Sequence, residues 1–456
     1  MPDKKKEFIV FADVVHHNLR IDKRLSCIIN TPEFQRLKDI RQLGLAHYVY
    51  PCANGTRFEH CLGVCHLAEE VLNHLQEVQP ELEITDDDKD CVKIAALLHD
   101  VGHGPFSHLY ERAVNKAYPD EKFKHEQMSI KIARKILQKE KVSDEFPTMK
   151  DENLKFIEEL ITPKSIDKDW PYKGRPSSKC FLYEIIANSK TGIDVDKIDY
   201  VQRDTHYLNF RSNIQWNRCL ATLRVKNDNK LYLPRLCFRD KVETNLLDII
   251  QARRHIHVRA VQHRTIRGLE EVLKKAMIEA NDFLTFKGQN GVSHKLLLAW
   301  KDISAYININ DSIFERIHNS REFELRPARI CIERIVKREL LYFCCQVNCQ
   351  NGKKLSELEK QLKRSDIIFY FYDYRIRSAV ENGTPEKNIL YYSKSNDDVA
   401  FCNQHPTTSY EENGCKSALI YCEKLDDRDK LKTLVHEFCY NNGILFGENG
   451  VYPDFE

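Results

Sequence analysis

The sequence lacks the features that mark membrane and secreted proteins. No apolar run reaches the roughly 18 residues that a membrane-spanning helix needs, and the opening residues, MPDKKKEFIV, are too short and too polar for a signal peptide. An excess of one charge is also missing, since 70 Lys and Arg face 68 Asp and Glu, for a net charge of +2. Such a balance does not indicate general binding to nucleic acids or membrane surfaces. We therefore expect an intracellular protein of the nucleus or cytoplasm that binds no membrane.

The sequence also lacks the CxxC pairs of zinc ribbons. Its sixteen cysteines are scattered, and several of them, such as Cys61, Cys65 and Cys91, fall within apolar helical patterns. Reduced core cysteines of an intracellular protein explain this distribution better than a disulfide framework does. No internal repeat or low-complexity tract is present. The 456 residues suffice for one large domain or for two to three smaller ones.

Helical periodicity dominates the first three quarters of the chain, with apolar residues three and four positions apart. The patterns predict helices within residues 125–140, 151–161, 180–207, 242–285 and 302–342, and short strands at 47–51 and 221–238. After about residue 350, SDIIFYFYDYRI, KNILYYSK and SALIYCEKL resemble strands and DDRDKLKTLVHEFCYNNG a helix. The sequence thus predicts a mainly α protein, with a flexible tail over 1–7, a helical body with a few short strands over 8–345, and a smaller α/β lobe over 346–456.

Residues 95–111, AALLHDVGHGPFSHLYE, carry the strongest chemical signal. An apolar helix runs into His99 and Asp100, and the following Gly102–Pro105 stretch, with two glycines and a proline, cannot continue it. A divalent metal ion that activates water prefers histidine nitrogens and carboxylate oxygens. His99 and Asp100 can both bind such an ion if they lie where the helix turns into the loop. Further candidate ligands lie in helical stretches before and after them: His60, Asp194, Asp196, Asp199 and Asp204.

One histidine, a His-Asp pair and a distant aspartate form a pattern similar to that of the HD phosphohydrolase superfamily. Longer segments resemble one family within it, the sterile-alpha-motif-and-HD-domain deoxynucleoside triphosphate triphosphohydrolases. They occur in the order TPEFQRLKDIRQLG, RFEHCLGV, LLHDVGHGPFSH, KHEQ, WPYKGRP, FLYEIIANSKTGIDVDKIDY and ARRHIHVRAVQHR. The resemblance implies an HD-type phosphohydrolase domain over residues 8–345. Because this region begins almost at the first residue, no sterile-alpha-motif domain is expected.

The resemblance implies hydrolysis of a deoxynucleoside triphosphate (dNTP) to deoxynucleoside and inorganic triphosphate. Lower dNTP pools and a contribution to antiviral defence would follow. The implied metal is Zn²⁺ or Fe²⁺ at the HD site, with Mg²⁺ or Mn²⁺ on the substrate phosphates. The implied ligands of the HD-site metal are His60, His99, Asp100 and Asp196.

The resemblance also implies a set of catalytic histidines. His108 would protonate the leaving oxygen, because the pKa of a histidine lies near working pH. Glu111, three residues later, can orient the ring of His108 if this segment is helical. His103 and His125 fill the two other histidine positions of the family's active site.

Several positions match substrate contacts of the family. The phosphate-neutralising residues would be Arg57, Lys197 and Arg253, and the residues around the sugar and the rest of the pocket would be Gln42, Leu43, Tyr200, Asp204, His257, Val261 and Gln262. Arg253, His257, Val261 and Arg264 follow a helical spacing that would make one face basic. Val261 stands where the family has a tyrosine beside the sugar, which puts the exclusion of a 2′-hydroxyl in doubt.

The family assembles into a tetramer when GTP or dGTP fills one allosteric pocket and a dNTP fills its neighbour. The guanine-reading carboxylate of the family is Asn30 here, an arginine is Lys38, and a lysine and an asparagine are Ile9 and Ala12. An amide cannot accept two N–H groups as a carboxylate does, and it carries no charge. The other allosteric positions are better kept: Gln35, Arg218, Arg239, Lys241, Asn245, His263, Arg264 and Arg338. We therefore expect a homo-oligomer, dimer or tetramer, that responds to an allosteric dNTP and has weakened or lost GTP activation.

Two alternative functions stay open at the level of sequence. The first is an HD phosphohydrolase that acts on another nucleotide or phosphate ester, which product analysis would distinguish. The second is an oligomer that binds single-stranded nucleic acid weakly on basic surfaces without catalysis. A full set of metal ligands together with three further histidines favours an enzyme over such a scaffold.

Overall fold

The computed structural model describes residues 7–164, 166, 170–228, 232–349, 352–375, 388–394, 399–401 and 416–447. Residues 1–6 of the predicted tail lie outside this set. Helices predominate and the sheets are small, which confirms the predicted fold class. The α-helices are α1 Ser26–Ile29, α2 Pro32–Gln35, α3 Arg57–Val78, α4 Asp86–Leu98, α5 His108–Ala117, α6 His125–Leu137, α7 Glu140–Glu145, α8 Asp151–Ile161, α9 Tyr183–Ile186, α10 Val195–Tyr207, α11 Trp216–Leu220, α12 Glu243–Ile256, α13 Arg264–Ala280, α14 Ile303–Tyr306, α15 Ile313–His318, α16 Arg326–Val336, α17 Gly352–Leu362 and α18 Asp426–Asn442. The strands are β1 Phe8–Asp13, β2 His17–Asp22, β3 Arg224–Asn227, β4 Pro234–Arg239, β5 Thr285–Lys287, β6 Ser293–Lys295, β7 Tyr342–Cys349, β8 Phe369–Arg375, β9 Leu390–Tyr392, β10 Val399–Phe401, β11 Lys416–Cys422 and β12 Leu445–Gly447.

The chain forms two compact units that alternate along the sequence. The first spans 1–256, 281–313 and 379–404, and the second spans 257–280, 314–378 and 405–456. The second unit thus includes α13 and α16, which the sequence assigned to the helical body. The predicted boundary near residue 345 stays a prediction.

Helix α3 is central to the first unit, where it packs against α4 and α10. Helices α3 and α4 each begin with a capping box, at Thr56 with Glu59 and at Thr85 with Asp88. Such boxes satisfy backbone N–H groups that a helix start leaves without partners. Beyond these helices, the first unit has a β1–β2 hairpin, a β5–β6 hairpin and a sheet of order β10-β9-β4-β3.

The second unit contains an antiparallel sheet of order β12-β7-β11-β8. Buried residues of β7 and β11 form an apolar core with α17 and α18, represented by Val347, Ile420, Leu358 and Val435. Helices α13 and α16 pack against each other in the same unit. Strands β8, β9 and β11 and helix α18 confirm the four predicted C-terminal elements, although β9, from KNILYYSK, pairs with β4 in the sheet of the first unit.

Several local expectations are wrong. Residues 47–51 form no strand, because Gly44–Tyr48 is a 3-10 helix and a turn follows. The pattern at 180–207 breaks between α9 and α10, where Gly192 has a φ of +65°. The backbone at His257–Val261 is π-helical, so the basic residues from 253 to 264 do not follow one α-helix. Within the described ranges, no helix is long and apolar enough to cross a membrane.

Candidate active site

Three helix ends meet at a cluster of histidine and aspartate side chains. His60 lies in the first turn of α3, His99 and Asp100 follow α4, and Asp196 lies in the first turn of α10. The Nε2 atom of His60 lies 3.2 Å from Asp196 Oδ1 and 3.6 Å from Asp100 Oδ2. His99 Nε2 lies 3.5 Å from each of the same two oxygens. The structure thus brings together all four residues that the family resemblance implied as metal ligands.

Hydrogen bonds at the opposite ring nitrogens leave both Nε2 atoms facing the carboxylates. His60 Nδ1 donates to Asp199 Oδ2 at 2.8 Å, and His99 Nδ1 donates to the carbonyl oxygen of Ala96 at 2.8 Å. A neutral imidazole has only one N–H, so each Nε2 presents a lone pair. Neither buried Nε2 atom has a hydrogen-bond partner. Lone pairs and carboxylate oxygens that converge in this way repel one another without a cation between them, so the donor set fits a divalent metal ion.

The pKa values of the cluster also indicate that a positive charge between the donors would be stabilised. Burial lowers the pKa of His60, but Asp196 and Asp199 outweigh burial and raise this pKa to about 9. Burial opposes ionisation of Asp100, yet the nearby Arg57 guanidinium holds the pKa of this carboxyl well below its usual range. Without a metal ion, a proton would occupy the space between the donors. Metal binding should therefore release a proton and weaken as the pH falls.

Asp199 lies on α10 one turn after Asp196, and it orients the ring of His60. Its buried carboxylate accepts the Nδ1–H of His60, which fixes the tautomer that a metal-binding Nε2 requires. The close approach of the two helices depends on Gly63, because a Cβ atom there would lie 1.8 Å from Asp199 Oδ1. The sequence suggested Asp199 as a candidate ligand; the structure makes it the hydrogen-bond partner of His60, another candidate ligand.

A second histidine cluster borders the first. His103 Nε2 lies 3.3 Å from Asp100 Oδ1, and its ring stacks on His125 with centroids 3.9 Å apart. His108 meets both rings edge-on, with centroid distances of 4.9 Å to His103 and 5.1 Å to His125. Burial lowers the pKa of His103 and of His108, and the charges of Arg57 and His125 lower both further. The three predicted catalytic histidines therefore adjoin the candidate metal site through Asp100.

Glu111 pairs with His125, which corrects the expected pairing with His108. The segment is helical as expected, since α5 begins at His108. However, Glu111 Oε2 lies 2.7 Å from His125 Nδ1. Burial lowers the pKa of His125, but Glu111 and Glu126 raise it above its ordinary value. One imidazole that favours its neutral form thus lies beside another that favours its charged form.

The loop between α4 and α5 has an unusual backbone at its end. Phe106 and Ser107 have φ values of +54° and +58°, which residues other than glycine rarely adopt. The two carboxylate oxygens of Asp311 accept the backbone N–H groups of Phe106 at 2.6 Å and of Arg41 at 3.0 Å. Ser107 Oγ donates to the carbonyl oxygen of Arg41 at 2.7 Å. His108 follows at once, so these bonds determine where its side chain starts.

Two further side chains hold carbonyl groups of the same loop. Arg36 donates to the carbonyl oxygen of His103 at 2.8 and 2.6 Å, and the hydroxyl of Tyr306 donates to that of Gly102 at 2.8 Å. The guanidinium of Arg36 also lies 4.9 Å from the ring centroid of Tyr306. No local pattern in the sequence indicates these positioning residues, or Asp311, because each contacts the loop from a distant part of the chain.

We expect Asp311→Asn to reduce kcat about tenfold and to change KM little. The amide places an NH₂ group against one of two backbone N–H donors, and a buried donor without an acceptor costs about 1–3 kcal/mol. A looser loop misplaces His108, and this affects turnover more than substrate binding. Steady-state kinetics and thermal unfolding measure both effects.

Glu159→Gln is a matched control for this change. Glu159 is a buried carboxylate that accepts the backbone N–H groups of Lys173 and Gly174, so it holds a different loop in the same way. This variant should lose stability without losing kcat. Equal losses of kcat in both variants would show that Asp311 acts only on stability.

The predicted phosphate-binding cations already have protein partners. Arg57 Nη1 bonds Asp100 and its Nε donates to Ser107 Oγ at 3.0 Å. Lys197 Nζ lies 2.7 Å from Asp194 Oδ2, and Arg253 Nε donates to the hydroxyl of Tyr200 at 2.7 Å. These contacts orient the cations.

The other predicted pocket residues divide between the two units. In the first unit, Gln42 has a buried Oε1 without a hydrogen-bond partner, and Leu43 follows it. Burial raises the pKa of Asp204 on α10 to about 7. Three residues belong to the second unit, and their roles stay predictions: His257, Val261 and Gln262.

The predicted allosteric residues also divide between the units. Asn30, Gln35, Lys38, Arg218, Arg239, Lys241 and Asn245 lie in the first, and His263, Arg264 and Arg338 lie in the second. Gln35 Nε2 donates to the carbonyl oxygen of Ile29 at 2.8 Å, and Lys38 Nζ lies 4.7 Å from the ring centroid of Phe58. Arg239 ends β4 with a buried Nε that has no hydrogen-bond partner. The allosteric roles stay predictions.

Comparison with known proteins places these residues in a family. An HD domain profile matches residues 57–204, the stretch that holds all four candidate ligands. The human deoxynucleoside triphosphate triphosphohydrolase SAMHD1 is 39% identical over 91% of this chain and 71% of its own length. The same enzyme of Bos taurus is 35% identical over 92% of this chain and 76% of its length. A Dictyostelium discoideum homologue is 29% identical over 96% of this chain and 82% of its length. The chain therefore belongs to the SAMHD1 family of deoxynucleoside triphosphate triphosphohydrolases.

Proposed function

We propose that the protein hydrolyses dNTPs to deoxynucleoside and inorganic triphosphate at the His-Asp cluster. The observation that carries this proposal is the convergence of two histidine Nε2 atoms and two carboxylates without a donor between them, beside three more histidines. The names of the SAMHD1 relatives supply the substrate. Water attacks the α-phosphorus, the bond from phosphorus to O5′ breaks, and the deoxynucleoside leaves after O5′ takes up a proton.

His60, His99, Asp100 and Asp196 would hold the metal ion of this site. A metal ion bound there would act as a Lewis acid, which would activate water at neutral pH and neutralise phosphate charge. Nitrogen and oxygen donors in this mixture suit Zn²⁺ or Fe²⁺, whereas Mg²⁺ or Mn²⁺ suits the oxygens of the substrate phosphates. Asp199 keeps the Nδ1–H tautomer of His60 and thereby keeps its Nε2 available.

His108 is the proposed proton donor to O5′. Its pKa is low in the free protein because of burial, His125 and Arg57. A bound polyanionic triphosphate would raise this pKa, since a nearby negative charge favours the imidazolium. His125, held by Glu111, supplies a charged neighbour to the same phosphates. Substrate binding would therefore be coupled to proton uptake.

The cations of the pocket would bind the triphosphate without giving up their present partners. A guanidinium has five N–H donors, so Arg57 and Arg253 retain donors beyond those already used. Lys197, next to the ligand Asp196, would contact a phosphate oxygen. Asp204 can accept the hydrogen of the 3′-hydroxyl, which is the one free hydroxyl of a dNTP sugar, and Gln42, whose Oε1 has no hydrogen-bond partner, would lie beside the same sugar.

Control of this activity would not require GTP. The altered guanine-pocket positions, Asn30, Lys38, Ile9 and Ala12, lack a charged base reader. A hydrogen bond to a charged group contributes about 1.5–3 kcal/mol, so its loss weakens GTP binding about tenfold or more. Arg218, Arg239, Lys241 and Asn245 would retain an allosteric dNTP. The protein would then be constitutively active or would assemble into an oligomer with dNTP alone.

Product analysis tests both the reaction and its control. Each dNTP, incubated with the purified protein and Mn²⁺ or Mg²⁺, should yield deoxynucleoside and inorganic triphosphate. GTP should leave the initial rate on dATP unchanged, and sedimentation should show no GTP-driven tetramer. Nucleoside monophosphate or pyrophosphate as product would indicate another HD phosphohydrolase, and binding of single strands without turnover would indicate a scaffold. A strict requirement for GTP would contradict the proposed loss of GTP activation.

A further inference from the structure

The turn of the β1–β2 hairpin inserts two polar side chains towards α10 within the first unit. The side chain of Asp13 is 3% exposed and that of His16 is 9% exposed. Asp13 Oδ1 accepts the backbone N–H groups of Val15 at 3.0 Å and of His16 at 2.8 Å, which fixes the turn. By contrast, Val10 and Val14 of the same hairpin are 58% and 46% exposed. Leu19 and Ile21 of β2 are buried, so apolar packing holds that strand, whereas polar contacts hold the turn.

These contacts end on the carboxylate that orients His60. Asp199 accepts His60 Nδ1 at 2.8 Å, His16 Nε2 at 2.7 Å, and two nitrogens of Arg203 at 2.9 Å each. A carboxylate has about four lone-pair sites, so this one is saturated. Arg203 Nη1 continues the chain of bonds to Asp13 Oδ2 at 2.7 Å. The hairpin turn and a candidate metal ligand therefore share one buried carboxylate.

We propose that the turn of the hairpin is an outer layer of the metal centre, in which His16 and Asp13 position His60 through Asp199 and Arg203. This inference rests on the metal site of the proposed function. His16 occupies the lone pair that would otherwise let the Asp199 carboxylate rotate or bind water. Asp199 then has one orientation, and the ring of His60 has one as well.

Charge gives Asp13 a second effect on the site. Asp13 and Asp199 carry two negative charges and Arg203 carries one positive charge, and all three side chains are buried, where such interactions are strong. The net negative charge behind His60 strengthens its Nε2 as a donor to a cation. Loss of the Asp13 charge would make the group neutral and weaken that donor.

Metal binding and the docked hairpin must then stabilise each other by the same free energy, because coupling between two binding events is reciprocal. A two-stranded hairpin has little stability of its own. The attachment of its turn, which rests on the bonds of His16 and Asp13, is therefore sensitive to the charge and orientation of Asp199. Any event that separated the turn from α10 would lower the metal affinity of the active site.

The affinity for Zn²⁺, measured by competition with a chromogenic chelator, tests the positioning role. His16→Ala should lower the affinity about tenfold, the lower end of the effect of removing an outer-shell partner of a metal ligand. His16→Gln should restore most of it, because the Nε2 amide of glutamine donates from about the same place. Asp13→Asn should weaken Zn²⁺ while keeping the oxygen that accepts from the turn. His17→Asn, at the exposed neighbouring position with a φ of +61°, should bind Zn²⁺ as the unaltered protein does.

Hydrogen exchange provides a readout that is independent of activity. Zn²⁺ should slow the exchange of backbone amides in residues 8–22 of the unaltered protein, and His16→Ala should remove this protection. The inference would be overturned if His16→Ala kept its Zn²⁺ affinity, or if Zn²⁺ did not change the exchange rate of the hairpin amides in the unaltered protein. His99→Ala distinguishes failure of the proposed metal site from failure of the hairpin role. If His99→Ala binds Zn²⁺ normally, the proposed metal site is wrong. If His99→Ala loses Zn²⁺ while His16→Ala binds it normally, only the hairpin role is wrong.

Discussion

Alanine at both His99 and Asp100 should abolish dNTP hydrolysis and the retention of divalent metal, while the far-ultraviolet signature of the helices remains. His99 supplies one of the two imidazoles that face the candidate metal site. Asp100 supplies a carboxylate oxygen that lies 3.6 Å from the other imidazole, at His60 Nε2. The remaining pair, His60 and Asp196, would leave too few donors for a stable site. Elemental analysis of the purified variant and product formation from dATP measure the two losses.

The double variant also removes the partner of the buried Arg57, and an uncompensated buried charge costs about 3–5 kcal/mol. His99→Ala alone keeps the Arg57–Asp100 ion pair, so it should lose metal at a smaller cost in stability. His206→Ala removes an exposed histidine from the end of α10 and should change neither metal content nor rate. Retained hydrolysis in the folded double variant would refute the metal assignment.

Residue types and local context indicated a wider set of candidate ligands, and the family resemblance selected four of them. A His-Asp pair at the end of an apolar helix, followed by a Gly-Pro loop, is visible without a structure. The helical spacing of Asp196 and Asp199 is visible too, but spacing cannot say which one faces a metal and which one faces an imidazole. That choice depends on the way α10 lies against α3, where Gly63 admits the Asp199 carboxylate.

The positioning residues had no comparable local signal. His16 and Asp199 are 183 positions apart, and Phe106 and Asp311 are 205 apart. Each meets its partner only after the chain folds, so neither periodicity nor a short motif could pair them. The Glu111 prediction failed for a related reason: a helical spacing of three suggested His108, but α6 places His125 Nδ1 2.7 Å from the carboxylate. The strand expected at 47–51 failed because apolar residues in a short run do not distinguish a strand from a 3-10 turn.

Alanine at His108 should lower kcat about 10²–10⁴-fold, the usual contribution of a positioned proton donor. Metal content and the affinity for dNTP should change little, because His108 lies beyond the four candidate ligands and donates to the leaving oxygen. Loss of metal from this variant would instead make His108 a ligand.

The pH dependence of kcat distinguishes His108 from its neighbour His125 as the donor. A general acid must be protonated, so kcat of the unaltered protein should fall as the pH rises through the pKa of the donor in the substrate complex. In the free protein, burial, His125 and Arg57 hold the pKa of His108 below its ordinary value, whereas Glu111 raises that of His125. From the directions of these two pKa shifts alone, His125 would be the better proton donor. A bound triphosphate beside His108 reverses the order if it supplies enough negative charge.

His108→Ala should therefore lose the alkaline decline and retain a low, nearly pH-independent rate, and His125→Ala should keep the decline at a reduced rate. Calorimetry in buffers of different ionisation enthalpy should show proton uptake when dNTP binds the unaltered protein, and less uptake in His108→Ala. An alkaline decline that survives in His108→Ala and vanishes in His125→Ala would assign the proton to His125. In that case Glu111 would hold the catalytic acid in its charged form, and the stacked His103 would separate that acid from the metal site.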